Sequence, residues 1–198
     1  MTRTDEIKEN WRVFVAIELP ADIRHRVARH IAHLREELPE VRASWNREEH
    51  LHLTLKFLGD IRVTDVEGLS RAAENSARVF RPFELHVEGC GAFPRRGTPR
   101  VLWIGIDDPT EGLGELYRAL EDNCAAAGFP REPRPFNPHL TIARLRKPRG
   151  ARRLAEIHKQ RDFEKMSFAV DQLTVIRSEL SSAGSRYTVL SRHVLSGN

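Results

Sequence analysis

The chain has 198 residues, of which 40% are hydrophobic and 30% charged, a balance that is typical of a folded globular protein and argues against intrinsic disorder. No apolar run approaches the roughly 20 residues needed to cross a bilayer, and the first ten residues carry charges where a secretory signal would be apolar, so a cytoplasmic protein is expected. The net charge of +4 favours a polyanionic partner without establishing one.

Short apolar, β-branched runs alternate along the chain with segments of helical periodicity. The predicted strands cover residues 13–19, 50–58, 83–87, 101–106 and 139–143, followed by a hairpin of 168–176 and 187–194 that turns at 182–185. The predicted helices cover residues 22–38, 63–79, 110–127 and 151–161. Glycine and proline between residues 89 and 99 interrupt the pattern, after which the order of elements starts again.

This restart predicts a duplicated fold. Each half offers a strand, a helix and then a strand with the pattern His-x-Thr, and the two histidines, His52 and His139, are 139 − 52 = 87 residues apart. The predicted fold class is α+β and bilobal, with two antiparallel sheets that face each other across a central cleft and helices on the outside. Residues 1–198 are expected to form a single domain, with approximate lobes at 12–92 and 100–194.

The two His-x-Thr strands carry the predicted chemistry. Side chains alternate between the faces of a strand, so His52 and Thr54 share one face while the neighbouring leucines enter the core, and the same holds for His139 and Thr141. Two facing imidazoles can divide phosphodiester hydrolysis between a general base and a general acid, because the histidine pKa lies near working pH. The threonine hydroxyls would stabilise charge on the phosphate oxygens. Such a site needs neither metal nor cofactor.

At these residues the chain resembles the two-histidine phosphoesterase superfamily, in particular the RNA 2′,3′-cyclic phosphodiesterases first named 2′-5′ RNA ligases. The resemblance extends over nearly the whole chain, and the two tetrads, 52–55 and 139–142, are its specific part. It implies that His52 is the proton donor to the leaving 3′ oxygen and that His139 is the base that activates water, producing a 2′-phosphate. The residue types alone do not assign which histidine takes which role.

The resemblance also implies an open groove for an RNA end that carries a 2′,3′-cyclic phosphate, tRNA fragments included, and a monomer is expected. A basic lining is plausible, and either Phe14 or Phe57 is a candidate to stack on the terminal base. Arginine and lysine residues that would contribute to the lining are Arg95, Arg96, Arg100, Arg144, Arg146 and Lys147.

Several residues admit a second interpretation. His50 shares the predicted face of His52, so His50, His52 and His139 form an alternative zinc site. Lys56 is assigned to the same face, either at a phosphate or at a solvated strand end. Other residues have ordinary structural interpretations: His25, His30 and His33 on an exposed helix face, His86, His158 and His193 without a partner pattern, and Cys90 and Cys124 as small buried apolar residues.

Four other functions compete with hydrolysis of RNA 2′,3′-cyclic phosphates, one of them a metal-dependent hydrolase, which insensitivity to chelators would exclude. The same acid and base can join a 2′,3′-cyclic phosphate to a 5′-hydroxyl, which would make the chain a 2′-5′ RNA ligase. A small cyclic nucleotide is an alternative substrate. An RNA-binding module without turnover is the last, and the intact His and Thr residues of both tetrads argue against it.

Overall fold

The computed structural model describes residues 9–181, without the side chain of Ser181, and residues 184–197. Within these residues the strands are β1 (Asn10–Glu18), β2 (Ala43–Trp45), β3 (His52–Arg62), β4 (Phe83–Phe93), β5 (Val101–Asp107), β6 (His139–Leu145), β7 (Met166–Val170), β8 (Gln172–Ser181) and β9 (Gly184–Val194). The α-helices of the same part of the chain are α1 (Ala21–Glu37), α2 (Val66–Ala77), α3 (Gly112–Ala126) and α4 (Ala151–Arg161). Short 3₁₀ turns cover Glu48–His50 and Val63–Asp65.

The strands form two antiparallel sheets, as the sequence predicts. The first sheet has the order β3-β1-β8-β9 and the second has the order β2-β6-β5-β4-β7. Helix α2 packs on β8 and β9 and against α3, whereas α4 packs on β4 and against α1. The sheets approach each other where β3 contacts β6. No helix among the described residues is long and apolar enough to span a membrane.

The sheets do not follow the two halves of the chain. Strand β4 belongs to the second sheet, because the short connection after Phe93 folds it back on β5 as a hairpin. Strands β8 and β9 belong to the first sheet, where β8 pairs with β1. The predicted lobes 12–92 and 100–194 therefore do not coincide with the sheets, although the approximate repeat of elements is real. That residues 1–198 act as one domain remains a prediction.

The predicted final hairpin is the other element that the structure revises. Its first strand, predicted at 168–176, is divided at Asp171 into β7 and β8, which belong to different sheets. Both halves are apolar and extended, so the sequence pattern does not reveal where the chain passes from one sheet to the other. Part of the predicted turn at 182–185, residues 182 and 183, lies outside the described residues.

Candidate active site

Both His-x-Thr segments lie at the beginning of a strand, β3 for His52 and β6 for His139. Since β3 and β6 contact each other, the two strands bring their first residues to the region where the sheets meet. Leu53 and Leu140 are fully buried in the core on the opposite face of their strands. The alternation of side chains thus presents each His and Thr away from the hydrophobic core, as predicted.

A bulge follows the threonine in both strands. In the pairing of β3 with β1, Thr54 lies opposite Ala16 and Lys56 opposite Val15, so Leu55 has no partner. In the pairing of β6 with β5, Ile142 is skipped in the same way, between Thr141 and Ala143. A bulge re-aims the side chains that come after it. The duplication is therefore preserved in the backbone irregularity as well as in the motif.

The side chain of His52 is fixed by two hydrogen bonds. Its Nδ1 lies 2.8 Å from the carbonyl oxygen of His50, and its Nε2 lies 2.9 Å from the hydroxyl oxygen of Thr54. A carbonyl can only accept, so the neutral ring carries its proton on Nδ1 and its Nε2 accepts a hydrogen bond from Thr54. The reactive nitrogen, Nε2, is consequently turned toward the threonine.

The side chain of His139 is held in the same manner. Its Nδ1 lies 2.7 Å from the carbonyl oxygen of Asn137, again the residue two positions earlier, and so carries the proton. Within the described residues, its Nε2 makes no hydrogen bond and is available to a water molecule or a substrate. The amide of Asn46 on the neighbouring segment donates to the carbonyl oxygen of Thr141 at 2.6 Å and supports the strand.

The surroundings of both histidines favour the neutral ring. Burial lowers the pKa of His52 to about 4, although the carbonyl of His50 partly opposes this effect. Burial also lowers the pKa of His139, the carbonyl of Asn137 opposes it, and the charge of Arg144 lowers the pKa further. A protonated histidine in this site therefore requires an additional negative charge, which an anionic ligand would supply.

An aromatic floor supports His52. The ring of Phe14 on β1 stacks against it with centroids 4.7 Å apart, and Tyr187 on β9 approaches it edge-on at 5.5 Å. Phe14 is only 3% exposed and packs with Ala16 and Ile176 in a small cluster on this face of the first sheet. Because His52 already covers its ring, Phe14 does not present a free surface for a base.

A second aromatic floor supports His139. Phe93 approaches the imidazole edge-on at 5.2 Å, and the ring of Trp103 lies 5.3 Å from that of Phe93. The Trp103 ring has room only because residue 91 is glycine: a Cβ at Gly91 would lie 2.0 Å from Cζ2 of Trp103. Each histidine thus packs against aromatic side chains from other strands of its own sheet.

Arg144 links the two sides of the site. It is exposed on β6, and its charge acts both on His139 and on Tyr187 of the other sheet. Burial raises the pKa of Tyr187, and the charges of Arg144 and Arg12 oppose the rise. The guanidinium of Arg12 also lies 4.6 Å from the ring centroid of Phe57, which is 47% exposed. Arg144 and Arg12 thus bring positive charge close to the histidine and tyrosine side chains of the site.

Two predictions about the neighbours of His52 are wrong. Lys56 does not share its face: the bulge at Leu55 turns Lys56 into the interior, where it is 3% exposed and pairs with Glu121 at 2.6 Å. The alternative zinc site also fails, because the ligand atoms of His50, His52 and His139 do not gather into a cluster in the described part of the chain. Neither result could be read from simple alternation along the strand.

The interpretation of two other histidines is also wrong. His30 is 7% exposed and His158 is fully buried, and their rings form a hydrogen bond of 2.9 Å between α1 and α4. The two residues are 128 positions apart, and no local pattern connects them. Cys124 is buried as expected, and Cys90 is half-buried beside His30. The arginines and the lysine proposed for the basic lining are all exposed.

Comparisons with known proteins agree with one another. A family model described as the 2′-5′ RNA ligase superfamily matches residues 20–181. The chain is 33% identical over 191 residues to an Escherichia coli protein named RNA 2′,3′-cyclic phosphodiesterase, covering 96% of this chain and 99% of the relative. It is 34% identical over 178 residues to a protein of the same name from Methanothermobacter thermautotrophicus, covering 89% and 95%.

Solved structures give the same result. E. coli LigT complexed with 3′-AMP is similar with a TM-score of 0.72 and 31% identity, covering 94% of this chain and 99% of that chain. A structure from Thermus thermophilus is similar with a TM-score of 0.72 and 29% identity, covering 94% and 98%. The bilobal α+β architecture with two antiparallel sheets is thus shared with proteins that are similar along nearly their entire length.

Proposed function

The chain belongs to the 2′-5′ RNA ligase superfamily, and from this premise we propose that its groove hydrolyses 2′,3′-cyclic phosphates at RNA ends to 2′-phosphates. The observation that carries the proposal is the matched pair of histidines. Each is locked by a carbonyl two residues earlier so that Nε2 is its reactive nitrogen, and each has a threonine two residues later on the same strand face.

We assign the role of general base to His139. Its Nε2 carries a lone pair and makes no hydrogen bond within the described residues, and burial keeps the ring neutral by lowering its pKa. It takes a proton from water as the water oxygen attacks the phosphorus. The bond between phosphorus and the 3′ oxygen then breaks, and the phosphate remains on the 2′ oxygen.

The general acid is His52. It protonates the departing 3′ oxygen through Nε2 and must therefore be charged before the bond breaks. Burial lowers its pKa to about 4, so the proton is taken up together with the substrate, whose negative charge near Nε2 favours the imidazolium. Binding of the anionic phosphate thus prepares the acid.

Thr54 and Thr141 bind the phosphate. The Thr54 hydroxyl donates to His52 and can rotate to donate to a non-bridging oxygen once the ring is protonated. Removal of one hydrogen-bond donor of this kind lowers kcat by roughly 10²- to 10³-fold in other enzymes. Arg144 and Arg12 contribute positive charge, and the exposed ring of Phe57 is the candidate to stack on the terminal base.

The remaining expectations concern the cellular context. We expect the whole chain, residues 1–198, to work as one domain and as a monomer in the cytoplasm, with RNA that ends in a 2′,3′-cyclic phosphate, tRNA fragments included, as its partner. The exposed arginines beside the groove suit a phosphate backbone, and binding that they support weakens as salt concentration rises.

The product of the reaction tests this proposal. Purified protein is incubated in excess chelator with an oligoribonucleotide that ends in a 2′,3′-cyclic phosphate, with a 5′-hydroxyl oligonucleotide present. The expected product is the 2′-phosphate, identified by chromatography and mass. A 2′-5′ joined product as the main species would favour the ligase activity, and an unchanged cyclic phosphate would contradict both.

A further inference from the structure

A second group of reactive side chains lies where α4 packs on the second sheet and against α1. His30 of α1, His158 of α4 and Cys90 of β4 place their ligand atoms within 4.8 Å of one another. The contact between Nε2 of His30 and Nδ1 of His158 is 2.9 Å, and Sγ of Cys90 lies 3.8 Å from the same His30 nitrogen. Imidazole and thiol groups in such proximity are the donors that Zn²⁺ prefers.

The tautomer of His158 is suited to ligation. Its Nε2 lies 2.9 Å from the carbonyl oxygen of Trp103 and must donate, so Nδ1 carries the lone pair that points into the cluster. Histidine ligands of metals commonly donate their other ring N–H to a backbone carbonyl in this way, which fixes the ring. The structure therefore holds one ligand already oriented.

A bulge and a loop complete the surroundings. Gly89 is skipped in the pairing of β4 with β5 and has a positive φ of 68°, and its N–H donates to the carbonyl oxygen of Phe163. This bulge directly precedes Cys90. Its hydrogen bond connects β4 to Phe163, the residue after Asp162. Asp162 ends α4 with a φ of 53°, which is uncommon outside glycine, and its charge acts on His30, Cys90 and His158 alike.

We propose that His30, Cys90 and His158 form a zinc site; the carboxylate of Asp162, which lies outside this 4.8 Å cluster, would take the fourth position by moving toward it. Asp162 is exposed and lines a cavity of about 310 Å³ through which His30 is reached from solvent. The same cavity is lined by Arg26, Arg29 and Arg161, whose charges a metal ion must pass. The four ligands come from α1, β4 and the end of α4. A bound ion would join these three elements of the fold.

The distances fit a tetrahedral ion. Zinc–nitrogen bonds of about 2.0–2.1 Å and a zinc–sulfur bond of about 2.3 Å imply spacings of roughly 3.3 Å between two nitrogens and roughly 3.6 Å between nitrogen and sulfur. The observed contact between the two nitrogens is 2.9 Å, and that between sulfur and nitrogen is 3.8 Å. Both differ from the ideal spacings by a few tenths of an ångström. One thiolate and one carboxylate also balance the +2 charge, which a buried site requires.

Binding changes the protonation of the cluster in a defined way. His30 moves its ring proton from Nε2 to Nδ1, so that both histidines ligate as neutral rings, and Cys90 releases its thiol proton to solvent. The bound metal replaces the thiol proton, because the thiolate is the form of cysteine that ligates a metal. No oxidant or reductant is involved.

Metal content is the first test. Full-length protein without a polyhistidine tag is mixed with excess Zn²⁺ and passed through a gel-filtration column, and the bound metal is measured by mass spectrometry. We expect about one equivalent in the parent protein and in His52→Ala, since the groove is separate, and a loss of it in Cys90→Ser. Absence of retained zinc in the parent protein overturns the proposal.

Cobalt substitution tests the ligands themselves. The Co²⁺ protein should show a thiolate-to-metal charge-transfer band that disappears in Cys90→Ser and persists in Cys124→Ser, which removes the other cysteine. Circular dichroism establishes that both variants are folded. Asp162→Asn should weaken the zinc Kd by roughly 10- to 100-fold. A band that survives Cys90→Ser overturns the site, and an unchanged Kd in Asp162→Asn overturns the fourth ligand. Neither outcome bears on hydrolysis in the groove.

Discussion

The two groove histidines depend on a short local interaction, the hydrogen bond from each Nδ1 to the carbonyl two residues earlier. This bond sets the tautomer before any substrate arrives, and the partly buried position lowers the pKa of both rings. His52 and His139 therefore begin the catalytic cycle with the same tautomer, but only the Nε2 of His52 accepts a hydrogen bond from its threonine. The negative charge of the substrate then favours protonation of His52.

This difference predicts the pH dependence of catalysis. The profile of kcat/KM reports the free enzyme, in which the pKa of His52 is about 4 and that of His139 lies below its ordinary value. Because one histidine must be protonated, kcat/KM should fall roughly tenfold per pH unit above pH ~6.5. The fall in kcat should begin at higher pH, since the bound phosphate raises the pKa of His52. A kcat/KM that stays constant from pH ~6.5 to ~8 would contradict this account.

At the same scale, the sequence predicted His52, Thr54, His139 and Thr141 as one face of each strand because their spacing is local. The pairing of His30 with His158 was not predictable in that way, since it joins two helices 128 residues apart. The structure places the first group as expected, while the catalytic roles of these residues remain predictions.

At the scale of elements, the bulges decide which side chains are available for chemistry. The bulge in β3 turns Lys56 into the interior, where Nζ donates to Glu121 at 2.6 Å and to the carbonyl oxygen of Pro130 at 2.8 Å. Glu121 in turn accepts from the N–H of Glu132. This buried ion pair fastens β3 to α3 and to the segment that leads toward β6.

Removal of one partner should therefore destabilise the fold. Lys56→Met leaves the carboxylate of Glu121 buried without its cation and should lower the free energy of unfolding by about 3–5 kcal/mol. Lys56→Met combined with Glu121→Leu should cost less than Lys56→Met alone. Denaturant titration measures both, with Lys159→Met on the exposed face of α4 as the control. A double variant less stable than the single one would refute the pairing.

Gly91 tests the aromatic floor under His139. In Gly91→Ala the new Cβ would meet the Trp103 ring, so the ring must move, and overpacking of this kind costs about 1–3 kcal/mol. Hydrolysis should also decrease, because Trp103 and Phe93 support the imidazole. Gly114→Ala is the matched control, since a Cβ there meets nothing within 4 Å and α3 should gain stability. Equal stability of the two alanine variants would show that the position of the Trp103 ring does not require glycine at residue 91.

The elements themselves were largely predictable, and their interruptions were not. All four helices lie where periodicity places them, with ends that differ by at most three residues. The three-residue strand β2 is too short to show alternation and was not predicted. Alternation likewise gives no sign of the bulges at Leu55 and Ile142, because an inserted residue only becomes visible when the partner strand is known.

At the scale of the whole molecule, the two sheets exchange strands between the halves of the chain. Strand β4 joins the second sheet, and β8 and β9 close the first one beside β1. The repeat in the sequence predicted two sheets and a shared cleft, but pairing depends on which connections are short enough to form hairpins. Neither sheet can therefore be assembled from one half of the chain, which makes folding a property of the entire molecule.

Buried histidines should make this molecule sensitive to mild acid. Burial lowers the pKa of His30 and of His52 to about 4, whereas an unfolded histidine has a pKa of about 6.5. The unfolded state binds more protons between these values, so stability is lost as pH falls from ~6.5 toward ~4. The thermal midpoint should decrease over this range. The thermal midpoint should fall less steeply with decreasing pH in His52→Asn. It should fall as in the parent protein in His25→Asn, which alters an exposed residue. A thermal midpoint that does not change with pH in the parent protein would contradict the burial of these rings.

The most direct measurement is single-turnover hydrolysis of an RNA 2′,3′-cyclic phosphate by three variants, His52→Ala, His139→Ala and His25→Ala. Loss of a general acid or base should slow the first two by roughly 10²- to 10⁴-fold, and the third, with its exposed residue on α1, should match the parent protein. If His52→Ala and His139→Ala are folded and turn over at the parent rate, the two-histidine mechanism proposed for this groove is wrong.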